Sequence, residues 1–460
     1  MAKTKRSAPP PPEVATLPIL QPHAAGIDIG ADFLHVAVPP DRDPTPVRVF
    51  ATFTQDLLAV VHWLSACGVR SVALESTGVY WIPLYQLLEH HGFEVCLVNA
   101  RHLKHVRGRK TDFLDCQWLQ QLHSVGLLQP SFRPVEAVCA VRTLLRYRDT
   151  LVADGARQIL HVQKALTQMN LQPHRVLSDL TGRSGTRILQ AILVGERDPV
   201  KLAALCDPQV QAEPERVVAA LQGDWRAEHL FVLRQAWELY EGYQGRLAAC
   251  DTEIARLLAD LESQADPTDA PPPPPNAPRG KARKHQLTLP GKELRQELFR
   301  LYGTDLTQVP GLGPATVAAL LGEVGTDLTA FPTAGRFCSW LGLCPDPQKS
   351  GGKVLRHQTR PVKHRAAKLF RVAAQSLHHS HSALGHLYRR LAGKLQGPGA
   401  ITALAHKLAR IFYHLVTTRE AYDETVFQRT EQQYQERKVK RLRKQAKEMG
   451  FTLQAMECVS

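Results

Sequence analysis

A chain of 460 residues is long enough for about two to four domains, and 44% hydrophobic residues can fill real cores. The formal net charge of +14 and a pI near 9.4 point to a polyanionic partner, nucleic acid first and an acidic membrane surface second. No apolar run approaches the roughly 18 residues needed to span a bilayer, and the opening MAKTKRSAPPPPE lacks the apolar centre of a secretion signal, so a cytoplasmic protein with no membrane partner is expected. Nine cysteines, at 67, 96, 116, 139, 206, 250, 338, 344 and 458, form no CxxC pair, which favours reduced thiols over a zinc site or a disulfide framework.

In chain order, a proline-rich tail (1–20) is expected to be disordered. Residues 25–29 and 33–38 read as strands joined by a tight turn at Gly30-Ala31-Asp32, and VRVFATF (47–53) as a third. A helix at about 55–66, the strand SVALE (71–75), a helix near 81–91, the strand EVCLVN (94–99) and further helical segments complete an α/β domain over 21–130. The region 131–264 reads as helical. Leu233, Ala236, Tyr240, Tyr243, Leu247, Cys250, Ile254, Leu257 and Leu261 alternate spacings of three and four, a heptad seam that reads as a coiled coil. A stretch from about 137 to 170 offers an antiparallel partner in the same chain. Amphipathic packing onto a globular domain is the other reading.

The run SQADPTDAPPPPPNAPRGKARKHQ sits in a proline-rich linker assigned to 265–292. A mainly α region follows over 293–425. Residues 426–460 form a basic helical tail with Arg437, Lys438, Lys440, Arg441, Arg443, Lys444 and Lys447, suited either to nucleic acid or to solvent.

Four acids bear on chemistry. Asp28 lies inside the first strand, GIDIG, where a carboxylate is disfavoured unless paired or metal-bound. Glu75 ends the strand in ALESTGVYW, and Asp112 and Asp115 in RKTDFLD are spaced to share one helix face. Hard oxygen ligands delivered from two strand ends and a helix suit Mg²⁺, and two such ions can engage the attacking and leaving oxygens of a phosphodiester. Directly before the pair stand Arg101, Lys104, Arg107, Arg109 and Lys110, able to neutralise phosphates.

GIDIGADFLHVAV, ESTGVYW and RKTDFLDCQWLQQL resemble the DEDD transposases of the insertion-sequence-110 family, described as bridge-RNA-guided recombinases. The resemblance implies an RNase H-like (RuvC-like) N-terminal domain whose acids, here Asp28, Glu75, Asp112 and Asp115, bind Mg²⁺. Further on, Pro310-Gly311-Leu312-Gly313 precedes an alanine-rich helix and is similar to a helix-hairpin-helix element, with Gly311 and Gly313 opening backbone amides to phosphate; an ordinary αα-hairpin is the plainer reading. Ser350 precedes Gly351-Gly352, among Lys349, Lys353, Arg356, His357 and Arg360. The family's transposase domain carries a catalytic serine in this SGG context, so Ser350 is the matching nucleophile. The chain departs from the family's glycine-asparagine turn after the serine, reading RPVKHRAAKLFRVAA (360–374).

The function this implies is a site-specific recombinase that cuts and rejoins donor and target DNA, guided by a structured RNA. It would work as a homo-oligomer, a dimer assembling to a tetramer, in the bacterial cytoplasm on the nucleoid. A Holliday-junction resolvase using the acids and water would have no need of Ser350. A non-catalytic nucleic-acid scaffold would keep binding after loss of the acids.

Overall fold

The computed structural model describes residues 17–76, 78–99, 112–266, 269–273, 284–291, 293–351, 353–360, 362 and 364–452. The chain divides into two compact units, Met1–Arg133 and Pro134–Ser460. Residues 1–16 of the tail, much of the linker and the end of the basic tail lie outside the described residues.

The first unit is built on a mixed sheet of five strands: β1 (Ala24–Ile29), β2 (Phe33–Ala37), β3 (Val47–Ala51), β4 (Ser71–Glu75) and β5 (Glu94–Val98), in the order β3-β2-β1-β4-β5. β1 to β3 form an antiparallel meander, and β4 and β5 join parallel to β1. Alternation sorts the two faces. Ala25, Ile27, Ile29, Leu34, Val36, Val72 and Leu74 pack with Leu57, Val60, Val61 and Leu64 of α1 (Thr54–Ala66) and Leu84 and Leu88 of α2 (Trp81–His90). The opposite face carries small residues, Ala24, Gly26 and Ala73, and receives α3 (Asp112–Ser124). This mixed sheet with helices on both faces fits an RNase H-like domain.

The second unit opens with two long helices, α4 (Glu136–Gln168) and, after a helical insertion, α8 (Ala227–Ala259). They run antiparallel. Arg148 pairs with Asp251, Gly155 lies against Tyr240 and Tyr243, and Val162 and Leu166 share a core with Leu233 and Ala236. The heptad seam therefore meets the earlier helix of the same chain. Its buried positions are Leu233, Ala236, Tyr240, Leu247, Cys250 and Ile254 as expected, but burial then moves from Leu257 to Leu258. A 3.6-residue helix drifts against a strict seven-residue repeat, and the drift accounts for the step. The insertion, α5 (Arg183–Val194), α6 (Pro199–Ala203) and α7 (Pro214–Ala220), caps one end of the pair; no periodicity had singled it out.

The remainder is mainly α: α9 (Leu294–Tyr302), α10 (Pro314–Val324), α11 (Ala334–Trp340), α12 (Arg365–Ser376), α13 (Ala383–Ala392), α14 (Gly397–Thr418) and α15 (Thr425–Glu448). Phe337, Phe370 and Phe412 form its aromatic centre. It is not set off from the long helices. Arg142 Nε donates to the Gly322 carbonyl at 2.7 Å, Arg146 clasps Glu323 at 3.0 and 2.7 Å, and Arg148 donates to the carbonyls of His285 and Gln286 at 2.9 and 2.8 Å. A proline-rich run suggested a free spacer here; its described ends are instead held by buried guanidinium groups. Between α11 and α12 lies an element that sequence reasoning left out, a β-ribbon of β6 (Pro345–Ser350) and β7 (Lys353–Thr359).

Candidate active site

β1 and β4 are parallel neighbours with Gly26 opposite Ala73 and Ile27 opposite Leu74. One step on, Asp28 and Glu75 stand side by side at the carboxyl ends of the two strands, on the α3 face of the sheet and both half-buried. His35 of β2 flanks Asp28 on its other side.

α3 crosses this face antiparallel to β1. Its last turns are anchored at the amino ends of the strands: Gln120 Nε2 donates to the Ala24 carbonyl at 3.2 Å, the amides of Leu20 and Gln21 reach the Ser124 carbonyl at 2.8 and 2.9 Å, and His123 Nε2 meets Ser71 Oγ at 2.7 Å. Burial holds the His123 pKa below its ordinary value. The direction of the helix then carries its first turn, with Asp115, to the carboxyl ends where Asp28 and Glu75 wait. Asp115 is half-buried. Cys116, fully buried beside it, reports the proximity: its thiol is pushed up to about 12 by burial first and then by the negative charges of Asp28 and Asp115. Asp112 opens the helix, and its side chain lies outside the described residues.

The close approach has a single cause in the sequence. A Cβ on Gly26 would lie 2.3 Å from the Gln120 amide nitrogen and 2.5 Å from the Cys116 carbonyl oxygen, so only glycine lets the helix backbone rest on the strand. Gly26 was read as part of a strand and nothing more. A glycine inside an apolar strand is a known sign of close backbone approach and could have been flagged.

The donor set is all carboxylate, as a hard cation such as Mg²⁺ prefers. Among the described residues no group of three or more His, Cys, Asp or Glu is close enough to hold a metal by itself. Asp28, Glu75 and Asp115 thus share one end of the sheet without closing a three-ligand site. Arg101, Lys104, Arg107, Arg109 and Lys110 lie outside the described residues.

In the second unit Ser350 is the last residue of β6, exposed at the tip of the ribbon and paired across it with Lys353, also exposed. Gly351 turns the chain with φ +54. The register shifts between Gln348 and Lys349, leaving Leu355 as the extra residue on β7. Lys349 lies opposite Val354 and Arg356 opposite Gln348; the side chains of Lys349, Arg356 and His357 lie outside the described residues. Arg360 does not belong to the tip. It stands past the base of the ribbon, where its guanidinium donates to the Ser339 carbonyl. The ribbon was legible in principle, since a Gly-Gly pair between β-prone runs is a hairpin signal.

Of the two glycines before α10, Gly311 has φ +92 and packs against the Ala373 carbonyl, while Gly313 caps the helix with open space around it. Only Gly313 leaves the exposed, side-chain-free helix start to which a phosphate could come.

Two family models match the chain. One, described as a DEDD-type transposase, covers residues 25–171, and the other, described as "Transposase IS116/IS110/IS902 family", covers 303–389. The first range includes Asp28, Glu75, Asp112 and Asp115; the second includes Gly311, Gly313 and Ser350. A protein of Sinorhizobium fredii with the transposase designation y4pF/y4sB is 32% identical over 152 residues, 30% of this chain and 38% of that one. The "Insertion element IS116 uncharacterized 44.8 kDa protein" of Streptomyces clavuligerus is 26% identical over 372 residues, 76% of this chain and 83% of that one.

Proposed function

The chain belongs to the IS116/IS110/IS902 transposase family, and from that premise we propose that it is a site-specific DNA recombinase of an insertion element, guided by a structured bridge RNA. The observation that carries this reading is the meeting of Asp28, Glu75 and the first turn of α3 with Asp115 at one end of the sheet. These acids and Asp112 are assigned as the holders of Mg²⁺, which when bound would offset charge on the phosphate oxygens.

Ser350 is assigned as the nucleophile. Its Oγ gives up a proton and bonds to phosphorus, and the bond from phosphorus to the departing sugar oxygen breaks as that oxygen takes up a proton. The hydroxyl of the partner strand later attacks the phosphoserine and loses its proton, and the serine is restored. The number of phosphodiesters is conserved, which suits an enzyme that must rejoin what it cuts. Base pairing with the RNA would choose the sites, leaving the protein to contact backbone and shape. The α9–α10 turn, as a helix-hairpin-helix, would hold the DNA backbone through Gly313, with Lys349, Lys353 and Arg356 near the serine. The α4–α8 pair is read as an intrachain coiled coil, and the need for several cleavage sites supports a dimer assembling to a tetramer on cytoplasmic DNA.

Trapping tests the assignment. With guide RNA, Mg²⁺ and a DNA interrupted at the cleavage site, the wild type should give a denaturant-resistant protein–DNA band. Ser350→Ala should bind and form none, and Asp28→Asn should bind and form at most traces. Cleavage by Ser350→Ala at the wild-type rate would replace the serine mechanism with attack by water.

A further inference from the structure

Away from the acids and the ribbon, a cavity of about 530 Å³ opens between α14, the start of α11 and the segment 420–427. Its size suits a small organic ligand. Its lining is unusual in three respects. Lys407 and Arg410, one turn apart on α14, face it, and among the described residues neither pairs with a carboxylate. Lys407 lies half-buried with its ammonium 5.0 Å from the centroid of the Phe427 ring. Tyr422, whose ring stacks on Phe427 at 6.0 Å and 20°, has its hydroxyl buried without a hydrogen-bond partner.

Each feature leaves something unsatisfied. Two cations without a counter-ion favour an anion, and a buried hydroxyl without a partner costs stability until something bonds to it. The aromatic pair and Ile411 offer a flat apolar wall. A simple anion would leave that wall and the hydroxyl unused. A neutral aromatic would leave the cations uncompensated. One ligand class answers all three, a planar heterocycle carrying a phosphate.

We propose that this cavity is a binding site for one unpaired nucleotide, with its base against Phe427 and the Tyr422 hydroxyl and its phosphate on Lys407 and Arg410. The proposal rests on the reading that the chain handles nucleic acid. The position suits that role, since Arg410 lies close enough to Cys344, the residue before β6, for its charge to act on that thiol. A nucleotide held here is extruded from a strand passing near the base of the ribbon.

The test is titration calorimetry of the full-length protein with adenosine monophosphate, its 2′-deoxy form, adenosine and inorganic phosphate. Both nucleotides, or one of them, should bind, and adenosine and phosphate alone should bind at least tenfold more weakly. Lys407→Gln and Arg410→Gln should each lower nucleotide affinity about tenfold. Tyr422→Phe keeps the ring and should weaken the nucleotide while leaving phosphate unchanged. Preference for the ribonucleotide assigns the site to the guide RNA; equal or stronger binding of the deoxy form assigns it to a DNA strand. Equal binding of nucleotide and phosphate, no binding at millimolar nucleotide, or unchanged affinity in all three variants would overturn the proposal. Ser350→Ala should bind the nucleotides as the wild type does, so failure of the cavity and failure of the serine mechanism are read separately.

Discussion

Replacing Gly26 by alanine tests how the acids are brought together. The added methyl would sit 2.3 Å from the Gln120 amide nitrogen and 2.5 Å from the Cys116 carbonyl oxygen, where ordinary contact needs 3.4–4 Å. Both neighbours are helix backbone and cannot swing aside, so α3 must retreat from the sheet by about 1 Å. Overpacking of this kind costs roughly 1–3 kcal/mol of stability. Asp115 moves with the helix while Asp28 stays on the strand, and a misplacement of about 1 Å at a reacting centre costs on the order of a hundredfold in rate. The assay is the rate of adduct formation on interrupted DNA, with the melting temperature recorded beside it. Gly245→Ala is the control: a Cβ there meets nothing within 4 Å, in mid-helix, so that variant should be neutral or slightly stabilised. Wild-type rate and melting temperature in Gly26→Ala would refute the idea that glycine permits the contact and that the contact sets the site.

Asp251→Ala should destabilise the second unit by roughly 3–5 kcal/mol in denaturant unfolding, because it leaves the buried Arg148 guanidinium without its carboxylate; a loss below about 1 kcal/mol would mean that the two backbone carbonyls suffice for the arginine. Burial against the Trp340 ring pushes the His364 pKa down to about 4 from its ordinary 6.5. Between those values the unfolded chain binds a proton that the folded chain refuses, so stability should fall as pH drops from about 6.5 toward 4, by up to about 3 kcal/mol. His364→Phe, which keeps the ring beside Trp340, should flatten that part of the stability–pH curve, and an unchanged slope would show that His364 is not its source.

The strands and helices of the first unit were legible because each carries a strong period bounded by turns. SVALE was read at 71–75, where β4 lies, and the first helix to within a residue. The place of Asp28 in a strand followed from GIDIG, and its chemistry from the cost of a carboxylate there. What the sequence could not carry was distance. Nothing in the run from Asp112 to Ser124 says that Gln120 and Ser124 pin the far end of the helix and so aim its start at Glu75. Those bonds join residues up to 96 apart in the chain. Gly311 shows the same limit from the other side: its sequence suits a phosphate turn, yet its Cα faces a carbonyl of α12.

The heptad seam makes the argument sharpest. Spacing alone establishes that a helix has an apolar stripe; it does not say what covers the stripe. Covering it with α4 depends on charges off the stripe. Asp251 is a buried acid at the seam's edge, and a second copy of α8 would bring another acid or leave it unpaired. Arg148 on α4 meets it with two hydrogen bonds, at 2.5 and 3.2 Å, and ties the carbonyls of His285 and Gln286 to the same point. A buried carboxylate accepts only a partner that brings a matching cation, so this pair selects α4 and the antiparallel register together. The seam is thereby occupied within the chain. Leu247→Glu should accordingly lower the melting temperature of a single chain, and self-association, where it occurs, must use other surfaces than this stripe.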